Sequence, residues 1–520
     1  MPKTKTPPAP IKGAKPHSKI KTLDELASLL AVQRKAGRKI VHCHGVFDLV
    51  HPGHIVHFRE ARKNGDVMVV TITPDRWVNK GPGRPLFNEQ LRLDSLAALE
   101  MIDYVALNEW PTAVETIKKL KPTFYVKGSD YVDAKADVTG KITDEEAAVR
   151  SVGGSLVFTD GFTSSSSHLI NRMFSGYPVE TQEYLQGLRG MYSAERILEY
   201  LHGLSKTKVL VAGEAILDQY SYCVPLGKTT KETIVASRFT NEELFAGGAV
   251  ATANHMAGFC GEVTLLTNIG PDEKEADFIR SKLRPNVRLE AVRTPDRPTV
   301  RKQRYLDSEQ LRKIFEIQFL DDTPVSGAVE AQIGKKLEKE CGRHDLLVVN
   351  DFGHGLMSES LRRQATLCGK FLALNTQSNA ANNGFNAVTN YGRADYVAID
   401  EPELRVATRD KYGRIPELSE RVKAKMGVST FLVSRGASGS VVLSDDGWHE
   451  SPALARRVVD RVGAGDALFA VTSPLAFQKV PADVLAFIGN CVGALAVEIV
   501  GNREPINPTG LFKFIQTLLK

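Results

Sequence analysis

His51 and His54 stand three residues apart in His51-Pro52-Gly53-His54, directly after Gly45-Val46-Phe47-Asp48 and an apolar run. A helix that starts where a strand has just ended points free backbone N–H groups outward and favours an anion there. Gly45 and Gly53 let the chain turn closely around phosphates, and both imidazoles can donate hydrogen bonds to one triphosphate without acting as nucleophiles. Two histidines alone more often ligate a metal or sit satisfied in a core. Their combination with GVFD at a helix start is what points to phosphate. Far downstream, Gly463-Ala464-Gly465-Asp466 precedes an apolar helical run over 467–476. Its glycines and helix amides can form an anion hole for a transferred phosphoryl group, with Asp466 placed to accept the acceptor hydroxyl's proton. An isolated GxGD is more often a turn with an N-cap. Together the two strings suggest two phosphate chemistries acting in series on one small molecule.

The elements that must position these residues alternate along the chain. Helical periodicity covers 23–37, 54–64, 88–99 and 113–120, and short apolar strands cover 39–43, 67–73, 104–107, 123–127 and 153–159. A helix is also expected over 164–174, opening on four serines. Strict alternation predicts right-handed βαβ units, a parallel sheet covered on both faces, and ligands at the carboxyl ends of the strands. A helical, charged stretch over 179–204 reads as a connector. Alternation then resumes with strands at 208–213, 345–350, 396–399 and 430–434.

Composition limits the alternatives. A chain of 520 residues exceeds one compact core, so two or three α/β-sized domains are expected. With 42% hydrophobic and 25% charged residues, it reads as an ordinary globular protein. No apolar run reaches the roughly 18–20 residues of a membrane span, and the N-terminus has no apolar export segment, so a cytoplasmic protein is expected. Six scattered cysteines without a CxxC argue against a zinc site or disulfide framework. The net charge of +6 draws heavily on Lys3, Lys5, Lys12, Lys15 and Lys19, interspersed with prolines. Residues 1–20 therefore read as a disordered basic tail, and no nucleic-acid partner is expected.

Residues 40–175 resemble the cytidylyltransferase-like nucleotidyltransferases, nearest to the sugar-phosphate adenylyltransferases of heptose activation. The resemblance is carried by GVFDLVHPGH (45–54), GDVMVVTITPD (65–75), KGPGRPLFNEQLR (80–92), VKGSDY (126–131) and SSSSHLI (164–170). It implies that His51, His54 and Lys80 act on the triphosphate as pyrophosphate leaves. Gly45, Phe47, Gly53, Arg92, Lys127, Asp130, Ser165, Ser166 and Ser167 would complete the nucleotide site. Attack of an anionic phosphate on an α-phosphate needs charge neutralisation and in-line placement more than a protein nucleophile, which agrees with a cationic site and Mg²⁺. His44 departs from the Asn common before the glycine; it is either a third imidazole near the triphosphate or a changed surface contact.

From about residue 205 the chain resembles the ribokinase-like, PfkB-type carbohydrate kinases. The matching strings are GEAILDQY (213–220), FAGGAVATAN (245–254), NDFGHG (350–355), IDEPE (399–403), SRGASG (434–439) and DRVGAGD (460–466). By this resemblance Asp218, Gly247 and Gly248 would face the sugar, and Glu403 would organise magnesium. Ser434, Gly436 and Gly439 would line the ATP site with Gly463, Ala464 and Gly465, and Asp466 would be the base. Departures are Ala251 and His255 in place of two asparagines, Asn375-Thr376-Gln377 in place of DPK, Asp400 in the NxxE position and Arg461 before the GAGD turn. The familiar two-domain heptose enzymes also place the kinase first.

The expected fold class is α/β in two domains, an N-terminal Rossmann-like HxGH nucleotidyltransferase (21–178) and a C-terminal ribokinase-like α/β sandwich (205–520). The expected function is phosphorylation of a sugar phosphate with ATP, then nucleotidyl transfer to the sugar 1-phosphate with loss of pyrophosphate. Substrates would be a sugar phosphate and ATP, with CTP the alternative nucleotide for the first domain, and a homodimer is the usual symmetric assembly. Two other readings stay open: a cytidylyltransferase for an alcohol phosphate, or a nucleotidyltransferase controlled by an inactive kinase-like sensor.

Overall fold

A computed structural model describes residues 16–128, 141–159 and 176–520. The chain divides into two compact units. The first comprises residues 1–176 with Phe512–Leu518 and Lys520; the second comprises Tyr177–Leu511 with Leu519.

The first unit is built on a five-stranded sheet of β1 (Ile40–Gly45), β2 (Val67–Ile72), β3 (Tyr104–Leu107), β4 (Phe124–Gly128) and β5 (Ser155–Thr159). Their order is β3-β2-β1-β4-β5 and every pairing is parallel. Parallel sheets must be covered on both faces, which explains why all six residues of β2, Val-Met-Val-Val-Thr-Ile, are buried. Pro52–Arg62 and Glu89–Ala97 pack with one apolar cluster around Val41, Cys43, Met68 and Val70, and Leu23–Lys35 packs with another around Ile40, Val67 and Val69. The helix Leu23–Lys35 starts on a capping box between Thr22 and Glu25. Residues 16–20, read in sequence with the tail, are packed instead. Pro16–Lys19 is helical, Lys19 Nζ donates to the Leu99 carbonyl at 2.8 Å, and Ile20 bridges Val105. The helix expected over 164–174 lies outside the described residues.

The second unit carries a nine-stranded sheet. Its strands are β6 (Lys208–Gly213), β9 (Glu262–Ile269), β10 (Val287–Arg293), β13 (Leu346–Asp351), β14 (Phe371–Thr376), β15 (Tyr396–Asp400), β16 (Thr430–Ser434), β17 (Ser440–Ser444) and β18 (Gly447–Ser451). The order is β10-β9-β6-β13-β14-β15-β16-β17-β18, parallel up to β16 and antiparallel beyond it. A separate four-stranded sheet, order β12-β11-β7-β8, is formed by β7 (Ala215–Lys228), β8 (Val235–Gly248), β11 (Val300–Asp307) and β12 (Lys313–Phe319). Sequence alternation did not expose this sheet. The helices Val179–Met191 and Ala194–Gly203, read as a connector, belong to this unit: Tyr177 Oη donates to the Leu454 carbonyl at 3.0 Å, and Tyr192 Oη donates to Asp483 at 3.2 Å.

Candidate active sites

The first site forms at the carboxyl end of β1. His51 is the N-cap of Pro52–Arg62, with proline in the first turn where a missing N–H costs nothing. His51 Nδ1 accepts the Gly53 N–H at 3.1 Å, so in the neutral ring the proton sits on Nε2, a buried atom without a partner. The His54 ring lies 4.0 Å from that of His51, and its Nδ1 is likewise buried and unpartnered. Burial holds the pKa of His51 below the ordinary imidazole value, with Lys80 adding to the effect. Burial, the two neighbouring imidazoles and Lys80 push His54 down to about 3, against a hydrogen bond to the Leu49 backbone. Burial also lowers Lys80 to about 8, with Asp48 opposing. These groups form a desolvated cluster whose charged forms an incoming polyphosphate would stabilise.

Phe47 holds the turn between β1 and this helix at φ 48°, the left-handed region a bulky residue seldom adopts. Its ring lies edge-on to His54 at 5.2 Å, and a Cβ on Gly45 would come within 3.1 Å of it. Asp48 anchors the following loop: it accepts Arg84 Nη1 at 3.0 Å, the Leu86 N–H at 2.6 Å and the Phe87 N–H at 3.2 Å. Arg92 is 1% exposed and donates to the carbonyls of Val46, Thr73 and Phe87 and to Asp75. Its guanidinium thus ties the GVFD turn to the helix Glu89–Ala97. Lys127 pairs with Glu145 at 2.9 Å. His44 is bonded to Thr71 through Nδ1 at 2.9 Å and to Thr73 through Nε2 at 3.3 Å. Asp130, Ser165, Ser166 and Ser167 lie outside the described residues.

The second site is a cavity of about 300 Å³. One wall comes from the small sheet. Asp218 of β7 accepts Arg304 Nη1 of β11 at 2.5 Å on Oδ1 and Asn502 Nδ2 at 3.1 Å on Oδ2. Gly247 allows this approach, because a Cβ there would sit 2.0 Å from Asp218 Oδ2. A further wall is the start of the helix Ala464–Phe477. Its N-cap Gly463 takes φ 83°, and a Cβ on it would meet Asn502 Oδ1 at 2.3 Å, whereas the space around Gly465 is open. Asp466 Oδ1 accepts Asn350 Nδ2 at 3.0 Å and Gln377 Nε2 at 2.9 Å. Burial raises the Asp466 carboxyl to about 6, with Asp218 adding to the rise and Asn350, Lys302 and Gln377 opposing it. Such a group is ionised at neutral pH and still basic enough to take a hydroxyl proton.

A third side carries Asp400 and Glu403, joined as a capping box at the start of the helix Glu401–Thr408. Glu403 also accepts the Ser378 N–H at 3.0 Å, and burial together with Asp400 raises it to about 8. Of the expected residues, Asp218, Gly248, Glu403, Ser434, Gly463, Gly465 and Asp466 border the cavity, whereas Gly247, Gly436, Gly439 and Ala464 do not. Gly439 has a packing reason of its own, since a Cβ would lie 2.1 Å from the Ser451 carbonyl. Among the departures, Asn375, Gln377, Asp400 and Arg461 border the cavity. Ala251 and His255 are buried outside it, with His255 Nδ1 accepting the Ile506 N–H at 3.0 Å. Lys302, Arg304 and Asn502 were not legible in the sequence, and Asn350 stood in the NDFGHG string without a role of its own. The alternating basic residues of VRKQRYLD were the available signal for the first two.

The sequence matches the family described as pfkB family carbohydrate kinase over residues 206–509 and the cytidylyltransferase-like family over 42–172. It is 39% identical over 168 residues to the "Bifunctional protein HldE" of Trichlorobacter lovleyi, covering 31% of this chain and 32% of that protein. The HldE protein of Aliarcobacter butzleri is 41% identical over 140 residues, 26% of this chain and 29% of that protein. The chain thus spans about a third of the length of these relatives. Among solved structures, phosphofructokinase-2 from Escherichia coli overlaps with a TM-score of 0.48 at 14% identity, over 59% of this chain and 99% of that one. Ribokinase from Thermotoga maritima gives 0.46 at 16%, over 58% and 98%. Both resemblances read from the sequence agree with the family matches: the chain belongs to the pfkB family of carbohydrate kinases and joins to that fold an N-terminal cytidylyltransferase-like domain.

Proposed function

We propose that the chain is a bifunctional cytoplasmic enzyme whose second unit phosphorylates a sugar phosphate with ATP at the anomeric oxygen. Its first unit then transfers a nucleotidyl group to the anomeric phosphate of the resulting sugar bisphosphate, giving an ADP-sugar-type product that keeps the acceptor's original phosphate, and pyrophosphate. The observation that carries this reading is Asp466, a buried carboxylate raised to about 6 at the glycine turn that opens a helix, directly facing a cavity. Asp466 takes the acceptor hydroxyl's proton while the amides at Gly463–Gly465 hold the charge on the transferred phosphoryl group.

The oxygen donors of Asp400 and Glu403 suit Mg²⁺, which favours carboxylates in company with substrate phosphates over an all-protein cage. When bound, the ion would neutralise polyphosphate charge. In the first unit His51 Nε2 donates to the triphosphate, Lys80 neutralises the departing pyrophosphate, and His54 becomes a second donor on protonation. Fusion in one chain raises the local concentration of the intermediate.

Incubating the full chain with ATP or CTP and a panel of aldose and alcohol phosphates tests the reading. Aldose-dependent ADP formation accompanied by pyrophosphate release from ATP is expected. Pyrophosphate release with CTP and an alcohol phosphate alone would favour the cytidylyltransferase reading. Nucleotidyl transfer with no ADP formed from any acceptor would favour a kinase-like sensor.

A further inference from the structure

Cys341 ends the helix Gly327–Cys341, and Cys368 is the C-cap of the helix Glu359–Leu367. The two helices lie side by side and run the same way. Ser358 Oγ donates to Glu330, Gln364 Nε2 donates to the Gly334 carbonyl at 2.9 Å, and a Cβ on Gly334 would meet Leu361 at 3.5 Å. Contacts that rise together along both helices bring their last residues into one place. There Cys368 packs against the apolar cluster that holds Cys341, and the Cys341 thiol donates a hydrogen bond to the Cys368 sulfur.

The two sulfurs face different surroundings. Cys341 is 4% exposed, whereas Cys368 is only half-buried and reaches solvent. The bond from Cys341 holds the Cys368 thiol below its ordinary value against burial, helped by the Lys370 N–H and by the charges of Arg393 and Lys370. The same bond, together with burial, pushes Cys341 up. Because the thiolate is the reactive form, the pair has one sulfur suited to attack and one placed to resolve. Cys43, Cys223, Cys260 and Cys491 are buried, and burial pushes each of their thiols up. Gly369, next to Cys368, holds φ 72° with open space where a Cβ would sit, which leaves the cap room to close a thiol contact to an S–S bond of about 2.05 Å.

We propose that Cys341 and Cys368 form a reversible thiol–disulfide couple that responds to hydroperoxides, a modification site separate from the second cavity. The Cys368 thiolate attacks the peroxide: an S–O bond forms, the O–O bond breaks, and the leaving alkoxide or hydroxide takes a proton from solvent. The Cys341 thiol then attacks the resulting sulfenic acid. An S–S bond forms as the S–O bond breaks, and hydroxide leaves with the Cys341 proton as water. Two thiols and one hydroperoxide thus become a disulfide, water and the reduced peroxide. The cysteines precede β13 and β14, at the strand ends opposite those that deliver Asn350 and Gln377 to Asp466. In a reducing cytoplasm a disulfide of this kind is transient and signals oxidation.

Exposure of the reduced full chain to a small excess of hydrogen peroxide, followed by thiol counting after denaturation, tests the couple. The wild type should lose two of its six thiols. Peptide mapping without reductant should find one cross-link, Cys341 to Cys368, and dithiothreitol should restore both thiols. In Cys341→Ser the reaction should stop at the Cys368 sulfenic acid, captured by dimedone, and Cys341→Ala serves if the buried hydroxyl unfolds the chain. In Cys368→Ser, Cys341 should stay reduced. The assignment is overturned if the wild type keeps all its thiols, or if the cross-link joins other cysteines or two chains. It is also overturned if Cys341 oxidises in Cys368→Ser as readily as in the wild type.

Discussion

Gln377 donates its side-chain amide to Asp466 Oδ1 at 2.9 Å, so a residue of the segment that departs from its relatives touches the group proposed to accept the substrate's proton. The contact stabilises the ionised carboxylate. Removing it in Q377A should raise the Asp466 pKa by roughly half to one unit, the equivalent of a net hydrogen bond of about 1 kcal/mol. In the wild type, ADP formation should rise with pH through about 6 as Asp466 ionises, then level off. That ascending limb should move to higher pH in Q377A. A limb that stays in place would show that Gln377 does not tune the base.

Gly247 is a second lever on the same site. A Cβ there would collide with Asp218 Oδ2 at 2.0 Å and approach Asn502 Nδ2 at 2.9 Å. Gly247→Ala should therefore displace the Asp218–Arg304–Asn502 cluster and lower kinase kcat/KM by about ten- to a hundredfold, or about 1.4 to 2.7 kcal/mol. Pyrophosphate release from a supplied sugar 1-phosphate should persist. Equal loss of both activities would mean that the substitution unfolds the chain.

In the first unit, replacing His51 or His54 by Ala should cost about 2 to 4 kcal/mol of transition-state stabilisation, the scale of losing one preorganised donor. Pyrophosphate release at wild-type rates in both variants would remove these residues from the mechanism.

The same unit should be acid-sensitive. Burial depresses His42 and His54 to about 3 and His57 to about 4, so between those values and the unfolded pKa near 6.5 the unfolded chain binds more protons. Stability is therefore full above about pH 6.5 and falls as pH drops below it, by up to about 1.4 kcal/mol per pH unit for each imidazole. Thermal unfolding between pH 7 and pH 5 should show the first unit's transition moving down. A flat profile would contradict the burial of these rings.

Much of this architecture was legible because local pattern and tertiary demand coincide. Val67–Ile72 is apolar at every position because a central parallel strand is covered on both faces, and Pro52 marks a helix start that His51 caps. The second cavity was legible only in part. Asp218 and Asn502 meet across 284 residues, and the Lys302–Arg304 wall depends on the register of β11 against β7, which no local period specifies. Arg92 shows the limit of motif transfer. Its place in KGPGRPLFNEQLR suggested nucleotide contact, whereas its donors are spent on Val46, Thr73, Phe87 and Asp75, where they shape the turn that presents His51.

Sequential action on one molecule is tested most directly by Asp466→Asn, which keeps the shape of the base and removes its proton acceptor. With ATP and an aldose phosphate, sugar-dependent ADP formation should fall by about two to four orders of magnitude. Pyrophosphate release should fall with it and recover when the matching aldose bisphosphate, phosphorylated at the anomeric oxygen, is supplied. Undiminished pyrophosphate release by the variant from ATP and the aldose phosphate alone would show that the first unit does not depend on the second, and would contradict two chemistries in series.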